Sequence, residues 1–163
     1  MKMRFAAALV FFLAAVLGAS AQTKISGTAV CAKPDPMHMV EVGDSPGHAV
    51  SIAQSKCNWT KPMDIAGIQT KDTVDTAVDD VRGGKSRGHG FVVDTMSNGD
   101  KMYGRFHGSA TLKDGAPDNA EGAWEFAGGT GKLKGIKGKG TYKGTAGPEG
   151  ITYEVEGEYT LPQ

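Results

Sequence analysis

The sequence predicts an all-β protein, a small antiparallel β-barrel of about eight strands, with a two-sheet β-sandwich as the alternative. Three observations support this prediction. Apolar and polar residues alternate in several short runs, the 24 glycines lie mostly after position 83, and turn pairs such as Asn98-Gly99 separate the runs. Alternation with period two is typical of strands that have one buried and one solvated face. A helical period is not sustained over ten residues anywhere after the N-terminal apolar run.

The first element is a predicted cleavable signal peptide over residues 1–21, ahead of a single barrel domain over residues 22–163. Lys2 and Arg4 provide a positive start, an apolar run of about 13 residues follows, and small residues precede position 22. The apolar run is shorter than the roughly 20 residues that a membrane-spanning helix needs. We therefore expect export to the periplasm or the medium, with no membrane span after cleavage.

The charge balance argues against a nucleic-acid-binding protein. The chain has 18 Lys and Arg residues against 18 Asp and Glu residues. Loss of Lys2 and Arg4 with the leader gives the mature chain a net charge of about −2 with neutral histidines. Nucleic-acid binders normally carry a strong basic excess, so we expect no such partner.

Cys31 and Cys57 are the two cysteines of the chain, and both follow the predicted leader. In an oxidising compartment an even pair indicates a disulfide. The alternative, two metal ligands, lacks the close C-x-x-C spacing of a typical site. We therefore predict a Cys31–Cys57 disulfide that stabilises the fold by roughly 3 kcal/mol.

Four alternating segments predict the strands of the C-terminal half. A face of each is apolar, and glycines recur on that face between larger side chains. Asn98-Gly99 and Asp114-Gly115 are strong hairpin-turn signals between them. The segments are 89–96, 102–112, 122–127 and 151–161.

The lysine-rich stretch 131–144 contains one slip of phase. Leu133 is apolar at an odd position, whereas Ile136 and Tyr142 are apolar at even positions. Since a one-residue slip turns every later side chain to the other face, a bulge or tight turn is predicted near Gly135. Glycines on the buried face indicate close backbone approach or strong bending, which is how short strands close a small barrel.

The barrel interior is predicted to hold aromatic side chains, among them Trp124, Phe126, Phe106 and Tyr153. A barrel of about eight strands either holds one small ligand or is filled by its own side chains. The sequence thus predicts an exported barrel that binds a small apolar or amphipathic molecule or serves as a structural module. We count Trp124 and Phe126 among the candidate ligand-binding residues.

Tyr103, Arg105 and His107 share one face of a predicted strand. The opposite face holds Phe106 and Leu112, which favours a solvated outer position for the polar three. In a barrel with a polar lumen they would instead form a binding wall, with Arg105 holding a carboxylate and His107 moving a proton. With His89, these three are the polar candidate site residues.

The run Met37-His38-Met39, with His48 nearby, is a candidate copper site. Thioether and imidazole ligands together suit Cu(I), and an exported protein can meet copper. The alternative is an extended loop, since prolines bracket the run and a strand would turn His38 away from both methionines. Copper is the one cofactor that the sequence suggests.

The segment Gly128-Gly129-Thr130-Gly131-Lys132-Leu133, between a Trp-Glu-Phe strand and the closing Tyr153–Leu161 strand, resembles the allene oxide cyclase and dirigent barrel superfamily. It is most similar to small secreted bacterial proteins of unknown function in that group. The resemblance covers roughly residues 89–161 and implies an eight-stranded antiparallel barrel with a central cavity. It also implies, as an alternative function, an enzyme of the isomerase or cyclase type. The matching positions form a structural turn, so no catalytic residue carries over, and the residues show no nucleophile or phosphate-binding motif.

Overall fold

The computed structural model describes residues 22–113 and 116–162, and over these residues the protein is almost entirely β-strand. The predicted signal peptide and the Asp114-Gly115 turn lie outside the described residues. The strands in the described part of the chain are β1 Thr23–Cys31, β2 Met37–Glu41, β3 Ala49–Lys61, β4 Asp64–Ile65, β5 Ile68–Arg82, β6 Lys85–Met96, β7 Lys101–Lys113, β8 Ala116–Gly129, β9 Lys137–Gly147 and β10 Gly150–Thr160.

Eight of the described strands form a closed antiparallel barrel, which confirms the predicted fold class. The order around the barrel is β3-β1-β10-β9-β8-β7-β6-β5, and β5 pairs with β3 to close it. β2 pairs with β3 outside this ring, and β4 adds a two-residue ladder to β5. The segment before Ile68, which the sequence alone did not place, thus contributes two of the barrel strands.

The two turns predicted within the described chain are both present. Gly99 has a φ of 88°, and its amide donates to the carbonyl of Met96 at the tip of the β6–β7 hairpin. The phase slip near Gly135 is a tight turn, because a single 3-10 turn at Gly131–Leu133 precedes Gly135, whose φ is 78°. The glycines at both positions adopt the left-handed region that other residues avoid.

A compact apolar cluster closes one end of the barrel, and we call it the plug. The 62–67 connection between β3 and β5 folds over this end, where the Ala66 amide donates to the Tyr159 hydroxyl at 2.9 Å. The plug contains the most deeply buried apolar side chains of the described chain. Its buried members are Ile25, Met63, Ile65, Ile68, Met96, Met102, Leu133, Ile136 and Tyr159.

Inward-facing glycines of the barrel make room for aromatic rings from neighbouring strands. A Cβ atom on Gly140 would lie 2.6 Å from the Trp124 ring, and one on Gly138 would lie 2.8 Å from the Phe126 ring. Real Cβ atoms do not approach other atoms so closely. The recurrence of glycine on the buried face therefore reflects the space that large interior rings occupy on a narrow barrel.

The Cys31–Cys57 disulfide joins β1 to β3 and confirms the prediction from the sequence. The two cysteines are direct partners in the β1–β3 ladder, and both are buried. A disulfide is compatible with an oxidising compartment outside the cytoplasm. Within residues 22–113 and 116–162 no helix has the length and apolar character needed to cross a bilayer.

Candidate functional site in the barrel lumen

The barrel lumen contains a cavity of about 120 Å³ beyond the plug. This volume is close to the roughly 150 Å³ of an engineered apolar cavity that binds benzene. Each of the eight barrel strands contributes at least one residue to its lining, and six of the lining side chains are aromatic. The rings are those of Trp59, Phe106, Trp124, Phe126, Tyr142 and Tyr153.

The rings contact one another in edge-to-face and tilted arrangements. Tyr142 packs edge-on against Phe106 at a centroid distance of 6.1 Å and against Tyr153 at 5.8 Å. Trp124 and Phe126 lie 4.7 Å apart with planes at 47°. Such contacts hold each ring in one orientation, so the cavity has a fixed aromatic wall.

Asp94, on β6, is a fully buried carboxyl group in this wall, with 3% of its surface exposed. The Thr73 hydroxyl donates to Asp94 Oδ1, and the Trp59 indole N–H donates to the Thr73 hydroxyl at 2.8 Å. Burial raises the pKa of Asp94 to about 6, against the hydrogen bonds from Thr73 and Trp59, which lower it. The chain Trp59–Thr73–Asp94 thus fixes one carboxyl group at the cavity.

Asp75, on β5, places a second carboxyl group in the same wall. Thr73 lies directly opposite Asp94 and Asp75 opposite Val92, so Asp75 and Asp94 are diagonal neighbours on paired strands. Burial, and then the negative charges of Asp79 and Asp94, raise the pKa of Asp75 to about 7. This pKa places the carboxyl group midway through its titration at neutral pH.

The carboxyl oxygens of Asp75 are accessible from the cavity. Within the described residues Asp75 has no hydrogen-bond donor, yet no fully buried side-chain polar atom there lacks a partner. The Asp75 oxygens therefore retain access to the cavity rather than being sealed in the wall. Burial also raises the pKa of Tyr142 to about 12, and it raises the pKa of Tyr153 as well.

The interior of the barrel half opposite the plug is lined largely by small side chains and is partly accessible to solvent. Small residues line it, and pairs such as Gly88–Gly108 and Ala110–Ala120 face each other across adjacent strands. These positions are half-buried, whereas Met96, Met102 and Leu133 in the plug are at most 1% exposed. Asp79 also lies in this half, where burial raises its pKa against a hydrogen bond from Ser86.

The candidate ligand-binding residues named from the sequence separate into two groups. Trp124 and Phe126 line the lumen cavity. The polar candidates Tyr103, Arg105, His107 and His89 all lie on the outer face of the barrel. Of these, His89, Arg105 and His107 line an open outer groove of about 1120 Å³, where acidic and basic side chains alternate. The lumen does contain polar groups, but they are the carboxyl groups of Asp75 and Asp94 and not these four side chains.

The candidate copper ligands are not brought to one point. Met37, His38 and Met39 are exposed on β2, whereas His48 is buried with 4% of its surface exposed. The Val42 amide donates to the His48 carbonyl, so His38 lies four residues, or about 13 Å, further along the hairpin. The His48 ring contacts Asp44 through Nδ1 and Asp80 through Nε2, at 3.3 Å in the second case. Across residues 22–113 and 116–162 no group of three or more His, Cys, Asp and Glu residues is arranged to hold a metal.

Sequence reasoning missed Asp75, Asp79 and Asp94. The inward face of β5 is polar and its outward face carries Val74 and Val78, which reverses the pattern that alternation rules expect. The signal that could have found the acids is the composition of this strand, in which Asp75 and Asp79 share one face and Val74 and Val78 share the other. Only the pairing of β5 with β6 shows that Asp75 and Asp94 share one wall.

Comparison with known proteins adds little beyond the fold. No protein-family model matches the chain, and no curated protein matches it. A solved structure named pyocyanin demethylase is similar, with a TM-score of 0.44 and 18% identity over 81% of this chain and 98% of that one. This similarity is too low to carry an argument about function. No family match supports the allene oxide cyclase-like resemblance, and the structure confirms only the eight-stranded barrel that the resemblance implied.

Proposed function

We propose that the protein is an exported ligand-binding barrel that takes a small amphipathic molecule into its lumen. The observation that carries this proposal is the cavity of about 120 Å³ with an aromatic wall and carboxyl groups. Sites for small molecules combine a mostly apolar concave surface with a few polar groups that fix orientation. A barrel that served only as a structural module would fill its lumen with side chains, as the plug does at the other end.

The half of the barrel opposite the plug is the proposed entrance for the ligand. Its inward residues include the small, half-buried Gly88, Gly108, Ala110 and Ala120, which leave space for a molecule to pass toward the rings and Asp75. The plug blocks the other end, because Ile65, Met102 and Leu133 are completely buried there. The ligand thus meets the carboxyl groups of β5 on its way to the aromatic wall.

Tryptophan fluorescence tests this proposal, because both tryptophans of the chain line the lumen cavity. We expect small aromatic alcohols such as benzyl alcohol to change the emission in a saturable way. A Val92→Phe substitution fills the lumen, since Val92 lines the cavity, and it should weaken binding at least tenfold. Val93→Phe is the matched control, because Val93 is the next residue of β6 and is 37% exposed on the outer face.

Circular dichroism of both variants checks that the barrel remains folded. Equal affinities of wild-type protein and a folded Val92→Phe variant would contradict binding in the lumen. A flat titration with every member of a series of small rings would contradict the proposal as a whole. Native mass spectrometry of protein purified from its own host then identifies the natural ligand by its mass.

A second candidate function is proton transfer on a bound molecule, as in an isomerase. Asp75 favours it, because a general base works best when its pKa lies near the working pH, and burial raises the pKa of Asp75 to about 7. The test is deuterium exchange at the carbon beside the carbonyl of a small cyclic ketone, followed by NMR. Exchange that wild-type protein accelerates and Asp75→Asn does not would support catalysis; equal rates with and without protein would contradict it.

A further inference from the structure

We infer that the lumen selects organic cations: a compact apolar body bearing a protonated or quaternary nitrogen, with Asp75 as its ion-pair partner. This inference rests on the proposed function and specifies its ligand class. It is carried by three features of the same cavity, namely its rings, its carboxyl groups and the absence of a compensating basic group.

The aromatic rings of the lining favour a cation over a neutral or anionic ligand. Six aromatic side chains surround the cavity, and the contacts between Phe106, Tyr142 and Tyr153 hold their rings at steep angles to one another. A cation near an aromatic face is attracted by the ring quadrupole, and this attraction grows when water is excluded. An anion in the same position would be repelled.

The carboxyl groups add a negative potential that the protein itself does not neutralise. Asp75 and Asp94 both line the cavity, and no lining residue in the described part of the chain is Lys, Arg or His. A buried carboxylate without a counter-charge is destabilised, so a ligand that supplies a positive charge gains the interaction. Asp94 already accepts hydrogen bonds from its own wall, which makes Asp75 the group with capacity for a new partner.

The ionisable groups around Asp75 predict how binding depends on pH. The groups that face it from packed elements are Asp79 on its own strand, Asp94 on β6, Tyr142 on β9 and Tyr153 on β10. None of them carries a positive charge, and Asp79 and Asp94 add to the burial that raises the pKa of Asp75 to about 7, so Asp75 in an empty lumen is protonated in about half of the molecules at neutral pH. A bound cation would favour the ionised form of Asp75, so that binding releases the proton. The affinity of the lumen for the cation should therefore rise about tenfold from pH 6 to pH 8.

Three probes that share one ring separate charge from shape: benzylammonium, benzyl alcohol and benzoate. At pH 8 we expect benzylammonium to bind at least tenfold more tightly than benzyl alcohol, and benzoate to bind most weakly. Asp75→Asn should reduce the preference for benzylammonium over benzyl alcohol to less than threefold. Asp80→Asn is the matched control, since it removes the same charge from the exposed, outward face of β5 and should leave the preference unchanged.

The outcomes distinguish this inference from the proposed function. If benzyl alcohol binds as tightly as benzylammonium, or if Asp75→Asn keeps the preference, the cation inference is wrong while lumen binding stands. If none of the three probes binds, both the cation inference and the proposed ligand-binding function are wrong. A preference that Asp75→Asn abolishes, Asp80→Asn retains and acidification to pH 6 weakens would establish the inference.

Discussion

The two halves of this barrel differ in how their interior is filled. The plug end packs Met96, Met102 and Leu133 at 1% exposure or less, with apolar neighbours. The other half sets aromatic rings over inward glycines and leaves a cavity with carboxyl groups in its wall. One set of strands thus carries both a conventional core and a polar, partly empty interior.

The comparison shows that the tightly packed apolar core and the cavity lie at different levels along the same strands. β6 contributes Met96 to the plug and Asp94 to the cavity, two residues apart on one face. Burial of the plug side chains stabilises the fold, since each large apolar side chain contributes about 2 kcal/mol to the free energy of unfolding. The cavity half forgoes that packing and holds groups whose burial opposes folding.

The largest expected effect comes from truncating the plug. Met102→Ala removes a side chain with no exposed surface and should lower the free energy of unfolding by about 4 kcal/mol. Val155→Ala, which changes the cavity wall, should cost less than half as much, because its side chain borders space already. Urea unfolding of both variants measures the difference, and equal losses would remove the distinction between the two halves.

The next largest effect concerns the disulfide, which ties β1 to β3 beside the cavity. Cys31 and Cys57 both line the cavity, and with Ala29 and Ile151 they form a small buried cluster separate from the plug. The bond closes a loop between residues 26 apart, and replacing both cysteines by serine should lower the free energy of unfolding by about 3 kcal/mol. The reference is wild-type protein treated with reductant, which should lose a similar amount. No loss in either case would show that packing alone holds this wall.

The smallest of the three effects has the opposite sign. Burial raises the pKa of Asp75 to about 7, so the folded state holds a proton that the unfolded chain releases above about pH 4. The stability that the protein gains by retaining this proton in the folded state is fully present below pH 4 and is lost as the pH rises through 7. Asp75→Asn should therefore increase the free energy of unfolding by about 2 kcal/mol at pH 8 and change it little at pH 4.

Thermal unfolding at both pH values, with Asp80→Asn as the control, measures this effect. Asp80 is exposed on the other face of β5, and its carboxyl group contacts His48 and Arg82, so its substitution should give no gain. A loss of stability in Asp75→Asn at pH 8 would mean that the carboxylate has a stabilising partner in the lumen. The inferred negative, uncompensated cavity would then be wrong.

Much of the fold was predictable because it depends on local pattern. Alternation placed Ile151 and Tyr159 on a buried face, and both are at most 8% exposed. The turn chemistry of Asn98-Gly99 and the phase break near Gly135 located turns that the backbone contains. The outward orientation of Arg105 and His107 followed from the same rule, since their neighbours on the strand are apolar or glycine.

The candidate site was predictable only in its aromatic part. Trp124 and Phe126 are large apolar residues on an alternating strand, so a lumen position follows from burial. Asp75 lies on a strand whose polar face points inward. A rule that assigns the apolar face to the interior therefore predicts the opposite orientation for this strand. The distant partners that make an inward acid tolerable, such as Thr73 and Trp59 for Asp94, are not visible in a local pattern.

The sequence by itself therefore determined the strand alternation, the glycine-marked turns and the pairing of its two cysteines, because each depends on residues close in the chain or on their number. The tertiary structure alone decided that β3 closes the ring onto β5, and that the acids of β5 and β6 meet inside it. The physical reason is that a side chain's environment is set by which strands face it across the barrel. That arrangement depends on register and closure over the whole chain, which no local window contains.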